Sequence, residues 1–575
     1  MSAAAILFLS MGVLWGIWRS MDLPPADTSY YFQAGNAWRL WGSLLVPGRM
    51  AFSPLYCVFF GIVQRAFSDA GDAVIIHRIL ILLVTTVAVL AVLRNIVPRM
   101  WAWLGAAWWI ALPTNWKAFF EVHLFGFALT AVACALAGST RSKWGRGAAL
   151  AVLSAAALFV RNELFLAAAL FGLCCILSVW KDAPRDRVRS VVALMIPGII
   201  AMLAIAWMFS GEAELVRWKS LKKGFESRQR LNLQQVYAFG YQQRHSDWTG
   251  SPWKDGATLM HRDFRRSDPT FMEAFRANPS AMIEHCLWNF RLAPAGLQLG
   301  LFGGYSGGIP PDFAPRSGKV VNNPVILTGV VLILWLIGGI LIWRRYRVYG
   351  LKVVGDSRAV WTWIFLLCCV PTSLVSIGTQ HPRPSYIFSL TLLLMAFTLV
   401  CARLVVGELR CRFALPPRTT TWLALGTAIV LLVFLPGINW PSHSAQTIVQ
   451  DYRRLRPFQQ SLAGKKPVFC ADTEWTDALA NYLSIGGKGR CQIADWPRFG
   501  KSDAQSHTFG QDLDELRVTA LYLKKDDLAD PRVVEWRATA PGSGWKVAGA
   551  ADNGDEDWEF WIRSPGGIAM AKPLP

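Results

Sequence analysis

The chain has 575 residues, of which 53% are hydrophobic and 17% charged, and it carries a formal net charge of +20. A soluble chain carries about 25% charged residues, and apolar runs of membrane-spanning length recur here. An ordinary cytosolic enzyme is therefore excluded, as are disordered, collagen-like and small disulfide-scaffold proteins, and the basic excess reports membrane topology before it reports nucleic acid.

Taken in chain order, the first predicted span is 4–18. It lacks a basic leader and a small-residue cleavage site, so it reads as a retained helix. An outer loop, 19–71, follows. In it Asp27 precedes an amphipathic stretch at 30–41, where a carboxylate serves as a helix cap or as a general base at the membrane surface. Residues 52–67 read as a juxtamembrane helix in the outer interface, broken by Gln64 and Arg65. Spans are predicted at 74–93, 101–113, 122–137, 148–160, 164–180 and 191–209. A long basic outer loop occupies 211–323, and further spans fall at 325–343, 360–377, 386–406 and 422–435.

The tail from about 437 reads as a small α/β domain. Strands are predicted at 466–471, 518–523 and 558–562, with a capped helix at 472–483. This gives a mostly helical polytopic membrane bundle over 1–436, both outer loops included, and an extracytoplasmic α/β domain over 437–575. Cys470 and Cys491 both fall in that domain, where a disulfide and a pair of buried thiols are equally open. Cys174, Cys175, Cys368 and Cys369 lie in apolar runs as small hydrophobes.

Lysine and arginine set the orientation. With the N-terminus inside, the inner loops carry Arg94 and Arg99; Arg141, Lys143 and Arg146; the 181–189 group; the 344–358 group; and Arg403, Arg410, Arg412 and Arg418. The short outer turns hold few, chiefly Lys117, Arg161 and Arg383. That asymmetry obeys the positive-inside rule throughout.

The notable polar groups gather at outer span ends. Glu121 opens a span, where a carboxylate is favoured by the helix dipole and an ionisable group invites a functional reading. His123 is two residues on, so it points away from Glu121 on a helix. Arg161 and Glu163 flank an outer turn and are placed to pair with each other. In the run 380–386, Arg383 sits between prolines that fix the backbone. Its planar fork suits phosphate oxygens, while Arg383 and Tyr386 also suit simple anchoring at the interface. Basic groups at 217–230 and 262–266 suit anionic headgroups or a solvated face. No P-loop, GxSxG, HExxH or CxxC motif is present.

In this order the residues resemble the GT-C superfamily of polytopic glycosyltransferases, and within it the branch of protein O-mannosyltransferases and the bacterial lipid A aminoarabinose transferase. Asp27 with Tyr30 and Tyr31 matches the acidic start of the first outer loop. The run Ser53-Pro54-Leu55-Tyr56 is similar to the family's Pro-Pro-Leu-Tyr-like juxtamembrane helix. His77-Arg78 opens the second span, Glu121 falls where a second acid follows the third, and Arg383 with Tyr386 resembles a late Arg-Tyr outer turn. The likeness covers about residues 1–410. Three departures stand out. Thr28 follows Asp27 where the family often has Asp-Glu, which weakens the case for a divalent metal. Phe52 and Ser53 stand where a lysine is common, and Arg383 and Tyr386 are not adjacent.

The resemblance implies a polyprenyl-phosphate-linked sugar donor and a lipid, glycan or protein acceptor at the outer face of a bacterial inner membrane. The N-terminus would be cytoplasmic and the tail periplasmic. It implies Asp27 as general base, Glu121 as a catalytic residue that orients the acceptor or supports Asp27, and Arg49 and Arg383 at the donor phosphate. Tyr30, Tyr31, Tyr56, Arg161, His381 and Tyr386 are the expected substrate contacts. No cofactor and no nucleic acid are expected. Two other readings compete: a lipid or solute transporter or flippase, which calls for ionisable groups near mid-membrane, and a non-catalytic assembly factor for envelope glycans, acting through its tail.

Overall fold

The computed structural model describes residues 11–18, 22–24, 27–41, 53–67, 69–112, 114, 121–139, 142–209, 218–311, 323–349, 356–413, 426, 447–458, 468–471, 476–483, 492–494, 508–551 and 557–563. Arg49, Cys491 and the predicted span 422–435, apart from Gly426, lie outside them.

After a helical segment at 11–18, the first helices are α1 (Asp27–Trp41), α2 (Pro54–Ala66) and α3 (Ala70–Ile96). Then come α4 (Arg99–Ala111), α5 (Glu121–Ser139), α6 (Lys143–Phe159), α7 (Phe165–Trp180) and α8 (Pro184–Met208). The long loop folds as α9 (Trp218–Arg244), α10 (Gly256–Phe264), α11 (Phe271–Ala277) and α12 (Pro279–Phe302). The last apolar helices are α13 (Asn323–Tyr349), α14 (Ser357–Thr379) and α15 (Pro384–Arg412). The tail adds α16 (Thr447–Leu455), β1 (Val468–Ala471), α17 (Thr476–Leu483), β2 (Gln492–Ile493), α18 (Phe509–Glu515), β3 (Ala520–Lys524), α19 (Lys525–Leu528), α20 (Pro531–Thr539), β4 (Trp545–Ala551) and β5 (Trp558–Arg563).

Nine of the eleven predicted spans coincide with helices α3 to α8 and α13 to α15. Seven of these are long and apolar enough to cross a membrane. The other two, α4 and α6, reach only about 20 and 26 Å at 1.5 Å per residue, short of a hydrocarbon core of about 30 Å. Charged ends and caps lengthen the helices beyond their apolar cores. Ser142 caps α6 by accepting from the Gly145 N–H, and Asp356 caps α14 by accepting from the N–H groups of Arg358 and Ala359.

Two compact units emerge. The first comprises residues 1–19, 52–56 and 77–440. Within it α9, α10, α11 and the start of α12 form their own small core around Tyr237, Leu259, Met260, Phe264 and Met282. Thr270 and Glu273 make a reciprocal capping box that starts α11, and Asn278 with Pro279 starts α12.

The second unit comprises residues 20–51, 57–76 and 441–575. Its sheet runs β2-β1-β3-β5-β4, with β1 parallel to β2 and β3, and β5 antiparallel to β3 and β4. The strands at 466–471, 518–523 and 558–562 are thus present with edges shifted by a residue or two. β4 falls outside the predicted strands, because its sequence, WKVAGAA, offers little apolar alternation. Phe509, Leu513, Leu521, Trp536, Trp545 and Trp561 fill the core on one side of the sheet.

Hydropathy groups the whole first outer loop with the membrane bundle, yet most of that loop clusters with the tail. The reason is specific packing of α1 on α17. The Asn481 side-chain N–H donates to the Ser29 hydroxyl at 2.9 Å, and the Tyr482 hydroxyl donates to the Pro24 carbonyl at 2.6 Å. Phe32 packs against the Tyr482 ring at 4.9 Å. Nor do Gln64 and Arg65 break the juxtamembrane helix. Gln64 is buried and donates to the Phe32 carbonyl at 3.1 Å, while Arg65 lies over the Trp38 ring, so α2 continues to Ala66.

Candidate functional site

The polar groups of the first unit converge at one end of α5. Phe159 closes α6, and Arg161 leaves the helix in extended conformation, at φ −143° and ψ 107°, before a single 3-10 turn. Its Nε–H donates to Glu163 Oε1 at 2.7 Å, so the two residues pair as their spacing suggests. Gly126 on α5 makes this possible: a Cβ there would stand 2.9 Å from the Arg161 Cγ. Arg383 precedes Pro384, which imposes extended backbone on it (φ −75°, ψ 149°) and supplies the first residue of α15.

Both guanidinium groups face the ring of Tyr386. The Arg383 guanidinium carbon lies 5.3 Å from the ring centroid, and that of Arg161 lies 5.6 Å away. His123 meets the same ring edge-on at 5.1 Å. Behind them a small cleft enters the bundle, walled by His123, Arg161, Glu163, Thr372, Ser385 and Tyr386 among others. The hydroxyls of Thr372 and Ser385 are buried there and have no hydrogen-bond partner among the described residues. Cations, an aromatic ring and unsatisfied hydroxyls at the ends of apolar helices are suited to an anionic, oxygen-rich headgroup.

Glu121 is not in this cleft. It opens α5 fully buried and forms an ion pair with the equally buried Arg78 of α3. The structure thus sets it apart from His123: α5 turns His123 into the cleft wall and pairs Glu121 with Arg78. Tyr56 is likewise interior, 5.2 Å from the His77 ring and 5.5 Å from Phe125, so it is a packing residue and not a cleft wall. The buried Arg78 is legible as an arginine inside an apolar run, a position that demands a partner.

In the second unit Asp27 is the first residue of α1 and is exposed. A carboxylate there is favoured by the helix N-terminus. The Tyr30 hydroxyl donates to Asp477 at 3.0 Å, and Tyr31 is buried. Among the described residues, no three His, Cys, Asp or Glu side chains gather closely enough to hold a metal ion.

His381 is also buried and faces away from the cleft, toward α9 and α12. Its Nε2 lies 3.2 Å from Gln243 Oε1. Burial pushes its imidazole down to about 3, helped by the charges of His285, Arg383 and Arg244. Burial likewise lowers His285 to about 4. Both rings are thus neutral when folded, whereas an unfolded histidine titrates near 6.5. Below that value the unfolded chain takes up protons that the folded chain refuses, so stability present above about pH 6.5 drains away as the pH falls toward 4. Thermal denaturation of the purified protein should show a melting temperature that drops from pH 7 to pH 5, with a shallower slope in His285→Gln. An unchanged slope in that variant would refute the assignment.

No protein-family model matches the sequence, and no curated protein matches it. Several solved structures overlap it. The oligosaccharyltransferase AglB of Archaeoglobus fulgidus, in complex with an inhibitory peptide and a dolichol-phosphate, is 12% identical over 99% of this chain and 75% of its own, with a TM-score of 0.43. The same oligosaccharyltransferase in complex with zinc and sulfate is 12% identical over 99% of this chain and 74% of its own, with a TM-score of 0.44. ArnT from Cupriavidus metallidurans, bound to undecaprenyl phosphate, is 13% identical over 97% of each chain, with a TM-score of 0.39. With identities of 12–13% and TM-scores of 0.39–0.44, the chemistry has to be read from the site itself.

Proposed function

We propose that the chain is a membrane glycosyltransferase that moves a sugar from a polyprenyl-phosphate donor to a hydroxyl acceptor at the outer membrane face, with inversion and with Asp27 as general base. The observation that carries this reading is the pair of guanidinium groups, Arg161 and Arg383, set on the ring of Tyr386, which with Arg161 walls a hydroxyl-lined cleft in a bundle of apolar helices. The order of sequence motifs that resembles the GT-C superfamily supplies the reaction class.

In this reading the donor's tail lies in the bilayer and its phosphate meets Arg383 and Arg161. Asp27 removes the acceptor hydroxyl proton as that oxygen attacks C1 from the side opposite the phosphate. The C1–O bond breaks, and the leaving phosphate gains negative charge that the guanidinium groups stabilise in a site of reduced water. Glu121 has no direct part; it neutralises Arg78 and holds α5 against α3. The membrane is that of a bacterial cell, with the N-terminus cytoplasmic and the tail periplasmic, as the basic inner loops support.

The test is transfer in vitro from a panel of polyprenyl-phosphate sugars to native lipid and glycan extract, wild type beside Asp27→Asn, read by product mass. A one-sugar mass shift that requires Asp27 is the expected result. Lipid or solute flux without any glycan product would replace the reading with transport. Arg383→Ala should raise the dissociation constant for the lipid donor about 10-fold to 100-fold, the scale of a lost charge-assisted contact. Unaltered donor affinity in a direct binding assay would remove Arg383 from the phosphate site.

A further inference from the structure

The turn that carries Arg383 is gripped from outside the cleft. His285 of α12 places Nε2 3.2 Å from the Thr379 carbonyl oxygen, and the Asn289 side-chain N–H donates to the Gly378 carbonyl at 3.2 Å. Gly296, lower on α12, has no side chain because a Cβ there would run into the Pro382 carbonyl oxygen. These contacts fix the two ends of the turn. Its centre, His381, meets α9 at Phe239 and, by a polar contact, at Gln243.

The Trp288 indole N–H donates to Gln243 Oε1 at 2.9 Å, and the Gln243 Nε2–H donates to the Pro310 carbonyl at 3.0 Å. An indole only donates and a carbonyl only accepts, so the amide can face just one way. Its oxygen then also meets His381 Nε2 at 3.2 Å, which requires the imidazole to carry its proton on that nitrogen. His381 is fully buried and packed edge-on against Phe239, with ring centroids 5.2 Å apart. Two residues later the chain presents Arg383 to Tyr386, and the Arg383 N–H donates to the His381 carbonyl at 2.8 Å.

We propose that Gln243 is a positioning residue for the donor phosphate: its oriented amide fixes His381, and the 380–383 turn then sets the Arg383 guanidinium on the Tyr386 ring that walls the cleft. This rests on the reading of Arg383 as a phosphate ligand. Gln243 does not line the cleft, so it acts only through the turn. Helices α9 and α12 thereby become part of the donor site without touching the donor.

The experiment uses the full-length purified protein and a polyprenyl phosphate without sugar, and compares wild type, Gln243→Leu, Arg383→Ala and the double variant. Gln243→Leu should weaken binding about tenfold, and the double variant should bind no more weakly than Arg383→Ala within about twofold, as for residues acting through one another. Losses that multiply in the double variant, or no loss in Gln243→Leu, would overturn the proposal. A readout free of lipid separates the two ideas. Hydrogen exchange of the peptide spanning 378–386 should quicken in Gln243→Leu, and unchanged exchange would also overturn it. If Arg383→Ala binds lipid normally, the phosphate reading fails, while the exchange result still decides whether Gln243 holds the turn. Trp288→Phe keeps the packing and removes only the donor that orients the amide. It should move both readouts the same way by a smaller factor, and a Trp288→Phe protein identical to wild type in both would count against the mechanism.

Discussion

Asp27→Asn is expected to lower sugar transfer by about 10²-fold to 10⁴-fold, the usual contribution of a general base, while the affinity for polyprenyl phosphate and the melting temperature stay at their wild-type values. The substitution is chosen because it separates two roles of one side chain. Asp27 opens α1 and is exposed, so its carboxylate also suits the helix N-terminus. Asparagine is as good as aspartate at a helix start, but it cannot take a proton at neutral pH. A large loss of rate with the fold intact therefore reports chemistry. Near-normal turnover by Asp27→Asn would dismiss the base, whatever happened to Asp27→Ala.

The second large effect concerns the buried pair. Replacing Glu121 by leucine should destabilise the first unit by about 3–5 kcal/mol, because the buried Arg78 guanidinium would lose the counter-charge it pairs with. Arg78 and Glu121 are both nearly inaccessible, at 2% and 1% side-chain exposure. Replacing both by leucine should restore most of that loss, since an apolar pair of similar volume often does as well as a buried ion pair. Unfolding of the wild type and the two variants in detergent measures this directly. The double variant also decides function. If it folds and transfers sugar, Glu121 is structural, as its geometry indicates. A stable but inactive double variant would return Glu121 to the reaction.

The helices are largely legible because hydropathy and charge asymmetry are local signals. Each of the nine matching spans stands out by its own composition, whereas the caps at Ser142 and Asp356 start two of the helices several residues ahead of their apolar runs. Pairings across the chain are a different matter. Nothing in the spacing of Arg78 and Glu121, 43 residues apart, announces that they meet. The same holds for Gln243 and His381, 138 residues apart. Arg161 and Glu163 are legible because two residues across a turn have few other partners. His381 and Tyr56 lie buried for a common reason: a polar or amphipathic residue near a span end has both an inward and an outward rotamer, and only the packing of neighbouring helices chooses between them. Gln64 shows the same choice. In isolation its polarity ends an apolar helix; with the Phe32 carbonyl to satisfy its side-chain N–H, it continues one.

The docking of α1 on α17 changes what a truncation can mean. A gene shortened after codon 436 would delete Asn481 and Tyr482, and with them the bonds that hold Ser29 and Pro24 on either side of Asp27. Such a protein would be missing the seat of its proposed proton acceptor as well as its last hundred-odd residues. Loss of activity in that shortened enzyme would trace to the displaced carboxylate as readily as to acceptor recognition by the C-terminal sheet. The cleaner dissection keeps the chain whole and alters the sheet's outer face, leaving α17 where it is.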